Sequence, residues 1–385
     1  MLRKYQIALI CSMLFGFLNL NEARASDTPH IIIDARTGAI ISQNKANDRW
    51  HPASLTKLMT AYVTFRAIAN GEIEDGSPVS ISAAATKQPP SRMGYKKGVK
   101  LRIDTALKII IIKSANDVSL ALAEAVAGSL KAFVARMNQE AKRLGMENTN
   151  FVNSNGLHNI RQVSSARDMA LLSAKILQEF PHYAYMFEAA AIKTPVKTHY
   201  SYNLLLERFQ GTNGLKTGFV CASGYNLAAS AERNGQMLIA VVLGRSSQTD
   251  RAVSAAKLLS ESFGKPGAGS VYLPVLRGAP PVNMRPILCT EAARAARYDP
   301  GAGNAVIKSK YLKPRVRSRK ILQILTGGVD AGPSQAVLNQ QFASLGNIPI
   351  PEPRPAFDPN LGRIVLPAIG ASKTGNLALP TPRPR

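Results

Sequence analysis

The sequence predicts an α/β fold: an antiparallel sheet flanked by helices, with a mainly helical subdomain set between its strands. Strand signals stand near the N-terminal end, helical periodicity fills the middle, and strand signals return after about residue 190. Strands at both ends with helices between them require the N-terminal hairpin to meet the later strands in one sheet.

The elements follow in order. Residues 31–34 form a short apolar strand, a turn contains Gly38, and residues 39–42 return, which makes a hairpin. A helix is expected to start at Ser54, just after Pro52. Leu55, Leu58, Met59, Tyr62 and Val63 recur at helical spacing, and Asn70-Gly71 ends it. Residues 107–113 are strongly apolar and lead into Ser114-Ala115-Asn116. Helices are predicted over 118–126, 130–144 and 165–180, the last capped by Ser164 or Ser165. Strands are predicted over 214–217, 225–228 and 237–243, and a closing helix over 251–263.

With 385 residues and 45% hydrophobic side chains, the chain can bury a sizeable core. Its first 25 residues read as an export signal. Arg3 and Lys4 precede an apolar run over 7–20, and Ala23-Arg24-Ala25 forms a small-x-small cleavage site. The run is shorter than the roughly 20 residues that span a bilayer. The chain is therefore expected to be exported, to the periplasm or cell wall. The net charge is +24. An exported protein rarely meets nucleic acid, so anionic wall or membrane surfaces are the expected counterparts.

Cys11 leaves with the signal, and the sequence leaves open whether Cys221 and Cys289 pair. The five histidines are scattered without an HExxH pattern, so neither a metal nor a cofactor is expected. The composition changes near residue 264: 17 of the 24 prolines follow it, and residues 266–385 carry a net charge of +11. The folded domain is accordingly placed at 26–265. A basic, proline-rich tail over 266–385 is expected to be largely disordered, although 319–325 could form a short strand.

Three motifs carry chemistry. In Ser54-Leu55-Thr56-Lys57 the serine and lysine lie three apart, on one helical face. A neutral lysine amine can take the serine proton, and a helix N-terminus favours negative charge at the nucleophile. Alone, this spacing also fits an exposed helix start. Ser114-Ala115-Asn116 precedes a helix and by itself fits a plain N-cap. Lys216-Thr217-Gly218 lies on a predicted strand. It is not a phosphate loop, because Leu215 rather than glycine precedes the lysine. The discriminating signal is SxxK, SxN and KTG in this order, each on the element the chemistry needs. A second Lys373-Thr374-Gly375 lacks strand context and partner motifs, and is coincidental.

With these motifs the chain resembles the low-molecular-mass penicillin-binding proteins that are serine D-alanyl-D-alanine carboxypeptidases. The likeness extends through His51 to Thr60, Ser114 to Asp117, Leu144-Gly145-Met146, Asn153 to Leu157, Ser165 to Ala170, Asn213 to Phe219 and Gly224 to Leu227, and covers roughly residues 30–263. It implies a β-lactamase/transpeptidase-like fold and hydrolysis of peptidoglycan stem peptides through an acyl-enzyme, with β-lactam antibiotics as inhibitors. Ser54 would attack the carbonyl of the penultimate D-alanine and Lys57 would accept its proton. Ser114 would relay a proton, and Asn116 would hold the substrate amide. Lys216 and Thr217 would face the terminal carboxylate, Gly218 would line the substrate beside them, and the backbone N–H groups of Ser54 and Phe219 would form the oxyanion hole.

Two departures stand out. Some relatives have an arginine about fifteen residues before the KTG lysine, where this chain reads Tyr200-Ser201-Tyr202. Arg251 matches a family arginine after the last strand and could share the carboxylate. The alternatives are a D,D-endopeptidase or β-lactamase of the same fold, or an inactive peptidoglycan-binding protein. The intact trio argues against the inactive binder.

Overall fold

A computed structural model describes residues 28–293 and 309–324; the expected export signal over 1–25 and the rest of 266–385 lie outside the described residues. The strands in chain order are β1 (His30–Asp34), β2 (Ala39–Asn44), β3 (Pro78–Ser80), β4 (Lys100–Arg102), β5 (Ala191–Lys193), β6 (Thr198–Tyr200), β7 (Thr212–Val220), β8 (Gly224–Arg233), β9 (Gln236–Arg245), β10 (Ala268–Ser270) and β11 (Ile321–Gln323). The longer helices are α1 (Thr56–Ala69), α2 (Asn116–Ala127), α3 (Leu130–Leu144), α4 (Ala166–Glu179) and α5 (Gln248–Ser262).

The main sheet has the order β10-β2-β1-β9-β8-β7 and is antiparallel throughout. The N-terminal hairpin meets the later strands through β1, which pairs with β9 from His30↔Val242 to Asp34↔Leu238. Both strands are apolar without alternation because the sheet is covered on both faces. Ile31, Ile33, Val241 and Leu243 point into the core shared with the helical subdomain. Ile32, Leu238, Ala240 and Val242 point the other way, onto Ala252, Ala255, Ala256 and Leu259 of α5. Helix α1 runs through the centre of the helical subdomain. Leu58, Met59, Ala61, Tyr62 and Phe65 are all fully buried, so its apolar residues surround it rather than forming one stripe. Ser165, not Ser164, caps α4, its side chain accepting the Asp168 N–H at 3.0 Å.

Two expectations need correction. The α-helix does not begin at Ser54: Ala53–Leu55 form a 3₁₀ turn, and α1 starts at Thr56. Nor does packing stop at 265. Strand β10 pairs with β2, and Val271 is fully buried. Arg49 N–H donates to Ala279 O, and Met284 N–H to Ala222 O. Further along, β11 adds in parallel to β5, beside β6. A disulfide joins Cys221, in the β7–β8 turn, to Cys289. Individual apolar anchors, one disulfide and backbone pairing order these stretches without a core of their own. The expected strand over 319–325 is the short β11.

The disulfide closes a loop across a sequence separation of 68 residues. Removing such a cross-link costs roughly 2–4 kcal/mol. Cys289→Ser is expected to lower Tm by about 5–10 °C, and reduction of the wild-type protein should give the same shift. Calorimetry of both forms checks this; unchanged melting would show that the link adds nothing to stability.

Candidate active site

The site is built where the turn before α1 is gripped from two sides. Ala53 holds a positive φ of 49°, a strained conformation for a residue with a Cβ. On one side Gly156 (φ +84°) approaches so closely that a Cβ there would lie 1.9 Å from Ala53 O. On the other, β7 passes at Gly218, where a Cβ would lie 3.0 Å from Ser54 N and 2.9 Å from Pro52 O. Only residues without side chains allow both approaches. Asn226 on β8 fixes the turn, donating from Nδ2 to His51 O (2.9 Å) and Pro52 O (3.2 Å) while Oδ1 accepts Gly244 N–H. Gln162 fixes it from the helical side. Its Nε2 donates to Thr56 Oγ1 at 2.9 Å, and its carbonyl accepts from His51 Nδ1 at 2.9 Å.

Lys57 stands one turn on from Ser54 and is fully buried. Its Nζ lies 3.1 Å from Ser54 Oγ, 2.9 Å from Asn116 Oδ1 and 2.6 Å from Asn155 O. Burial, then the charge of Lys216, pushes its pKa well below that of a free lysine; Asp117 opposes this. A neutral amine has two N–H groups and one lone pair. Asn116 Oδ1 and Asn155 O can only accept, so they take the two N–H groups. The lone pair is left for the Ser54 hydroxyl, the geometry a general base requires.

Ser114 follows a π-helical stretch, Ile109–Lys113, and has a left-handed φ of 63°. The N-cap position of α2 belongs to Ala115, which has no capping side chain, so the SxN segment is not a plain N-cap. The Ser114 hydroxyl instead accepts from Lys216 Nζ at 2.9 Å. Asn116 Nδ2 donates to Pro89 O (3.0 Å), and Asn116 N–H to Ser91 O (2.6 Å). The Asp117 carboxylate accepts the N–H groups of Met93 and Gly94, holding the 89–94 loop against the site.

Lys216 and Thr217 lie on β7, the outer strand of the main sheet. Burial, then the nearby Arg251 charge, lowers the Lys216 pKa to about 7. Arg251 is buried in α5, and desolvation lowers its own pKa to about 10. It donates to Tyr202 O (2.8 Å) and Asn226 O (3.4 Å), and its guanidinium lies 5.7 Å from the Tyr225 ring centre. Its two terminal nitrogens are thus directed at backbone carbonyls, its Nε is buried without a partner, and its charge reaches Lys216. Tyr202, in the segment where some relatives carry an arginine, contributes a carbonyl that holds Arg251. Phe219 packs on Tyr225, ring centres 4.3 Å apart, beside the Cys221 turn.

Hydrogen bonds therefore join Lys57 to Ser54 and Asn116, and separately Lys216 to Ser114, with Gly218 against Ser54 and Thr217 and Phe219 on the same strand. The motifs alone did not reveal the supporting roles of Asn155, Gln162 and Asn226. Among the described residues no group of three His, Cys, Asp or Glu could hold a metal ion.

A profile of the D-alanyl-D-alanine carboxypeptidase family, peptidase S11, matches residues 20–247. The chain is 34% identical over 239 residues to D-alanyl-D-alanine carboxypeptidase DacA of Haemophilus influenzae, covering 61% of each sequence. It thus spans 61% of that relative's length. Penicillin binding protein 5 from Haemophilus influenzae superposes with a TM-score of 0.59 and 33% identity, over 62% of this chain and 70% of that one. Penicillin-binding protein D2 from Listeria monocytogenes, solved with cefotaxime bound, gives a TM-score of 0.56 and 28% identity over 62% and 97%. The fold is that of the penicillin-binding proteins, and the chain belongs to the peptidase S11 family of D-alanyl-D-alanine carboxypeptidases.

Proposed function

We propose that the protein is an exported serine D-alanyl-D-alanine carboxypeptidase that removes the terminal D-alanine from peptidoglycan stem peptides and is acylated by β-lactams. One observation carries this reading: the buried Lys57 Nζ stands 3.1 Å from Ser54 Oγ and also reaches two oxygens that can only accept, Asn116 Oδ1 and Asn155 O, so a neutral amine there has its lone pair for the serine. Family membership and a cefotaxime-bound relative support it.

In this mechanism Lys57 takes the Ser54 proton as Oγ attacks the penultimate D-alanine carbonyl. The N–H groups of Ser54 and Phe219 receive the developing oxyanion, the largest electrostatic contribution in such reactions. Ser114, between Lys216 and the leaving amine, passes a proton to the departing D-alanine. Asn116 orients the substrate amide. Lys216 and Thr217 hold the terminal carboxylate, and Gly218 lets the strand lie against the nucleophile. Arg251 acts from beneath, adding positive potential at Lys216. Water then hydrolyses the acyl-enzyme, and no cofactor takes part. Outside the site, the +11 charge of residues 266–385 favours anionic wall or membrane surfaces.

Incubation with a pentapeptide ending in D-Ala-D-Ala is expected to release one D-alanine per peptide, and Ser54→Ala should abolish release. Cleavage at an internal crosslink with no D-alanine release would point to an endopeptidase instead.

The pH profile of kcat/KM should be bell-shaped, because it reports the free enzyme. Rate should rise with pH as Lys57 loses its proton, since only the neutral amine is a base. It should fall again as Lys216, whose pKa is about 7, loses the charge that holds the carboxylate. Both limbs belong to the coupled lysine pair. A flat profile from pH 5 to 9 would contradict these roles.

A further inference from the structure

We propose that an open cavity far from the catalytic residues is a binding site for a phosphate-bearing anion. The cavity has a volume of roughly 570 Å³ and lies among four pieces of chain: residues 208–211 leading into β7, the β8–β9 turn at 232–234, Ser260 near the end of α5, and residues 310–313. Arg208, Arg233, Lys310 and Lys313 line it, against a single carboxylate, Glu232. About five strand residues separate Gly211 from Lys216, roughly 16 Å at 3.3 Å per residue, so the cavity is not part of the catalytic cleft.

The cations are held in place and not neutralised. Among the described residues none of the four forms an ion pair, although the neighbouring Arg315 pairs with Glu207 and Lys320 with Glu188. The Arg233 guanidinium lies between two rings, 4.4 Å from the centre of Phe209 and 4.8 Å from that of Phe263. That stacking fixes the fork before any ligand arrives and reduces the ordering cost of binding. Arg208 Nε is buried without an acceptor. The 310–313 segment is anchored: Leu312 is buried, Lys313 N–H donates to Arg208 O (2.9 Å), and Tyr311 Oη donates to Glu261 (3.0 Å). Lys313 Nζ reaches Gln210 Oε1 at 3.3 Å, a neutral partner that leaves its charge uncompensated.

Four cations around one space repel each other until an anion enters. A phosphate supplies more than one negative charge and several acceptor oxygens, and the planar arginine forks match it in pairs. A peptide carboxylate offers one charge and two oxygens. The cavity is also larger than an inorganic phosphate, so the ligand carries further groups. A phosphorylated soluble compound and a phospholipid headgroup share this chemistry. The inference does not rest on the peptidase mechanism.

The test titrates the full exported chain with inorganic phosphate at low ionic strength by calorimetry. In parallel it measures sedimentation with phosphatidylglycerol vesicles, using phosphatidylcholine vesicles as the neutral control. The wild type is expected to bind, with affinity falling as salt rises. The double variant Arg233→Gln/Lys313→Gln should bind at least tenfold more weakly, Arg233→Lys should lose less, and D-alanine release should stay unchanged in both, with circular dichroism showing both folded. Site-dependent phosphate binding without vesicle sedimentation assigns the site to a soluble phosphate compound. Site-dependent sedimentation with the anionic vesicles assigns it to a headgroup. Absence of both, or equal binding by the double variant, overturns the proposal.

Discussion

Lys57→Arg is expected to slow acylation by about 10²–10⁴-fold, the scale on which a positioned general base contributes. The guanidinium keeps a positive charge and can still donate to Asn116 Oδ1 and Asn155 O, which lie 2.9 and 2.6 Å from Lys57 Nζ. It retains its proton across the accessible pH range, so it has no lone pair for the Ser54 hydroxyl. The second-order rate of labelling by a fluorescent penicillin measures the effect. A melting curve run alongside separates it from misfolding, because a larger cation in a fully buried site also costs stability. Labelling within tenfold of wild type would show that Lys57 is not the base.

The second large effect is expected from Gly156→Ala, a residue that makes no contact with substrate in the mechanism. Its added Cβ would fall 1.9 Å from Ala53 O, and its φ of +84° already disfavours alanine. The turn carrying Ser54 must shift, and a displacement near 1 Å in a reacting group costs on the order of 10²-fold in rate. Acylation is expected to fall by about that factor while the sheet and α5 remain folded, since the atoms nearest the added Cβ belong to Ala53 and Ser54. Measured kcat/KM and far-ultraviolet circular dichroism together check this. An unchanged rate would mean that the close approach does not set the position of Ser54.

These two residues also show what was legible in sequence. Lys57 was, because the serine–lysine relation is local: three residues along a turn fix the geometry. The same holds for Ser114-Ala115-Asn116 and Lys216-Thr217-Gly218, each only three consecutive residues long. Asn226 was not legible as the residue that holds the turn, because its bonds reach His51 and Pro52 across more than 170 residues of sequence. Gln162 was not legible for the same reason, since its bonds reach Thr56 and His51 across more than 100 residues. The start of α1 was misplaced because a 3₁₀ turn and an α-helical turn share the same apolar spacing over three residues. Composition averages explain the boundary at 265. Proline and basic residues dominate the extension, yet Val271, Leu288, Leu312 and Ile324 are buried one at a time. Val271 and Ile324 join one core cluster and Leu312 the other, single contributions that no periodicity reports. The hairpin and the order of the main strands and helices were legible because period and length specify them.

The central claim is that Ser54, activated by Lys57, forms the acyl-enzyme. The most direct measurement is intact-protein mass spectrometry after incubation with benzylpenicillin, followed by peptide mapping of the adduct. One adduct of the full antibiotic mass per chain, located on the peptide containing Ser54 and absent from a Ser54→Ala variant of unchanged Tm, is the predicted result. An adduct that persists in Ser54→Ala, or maps to another residue, would contradict it.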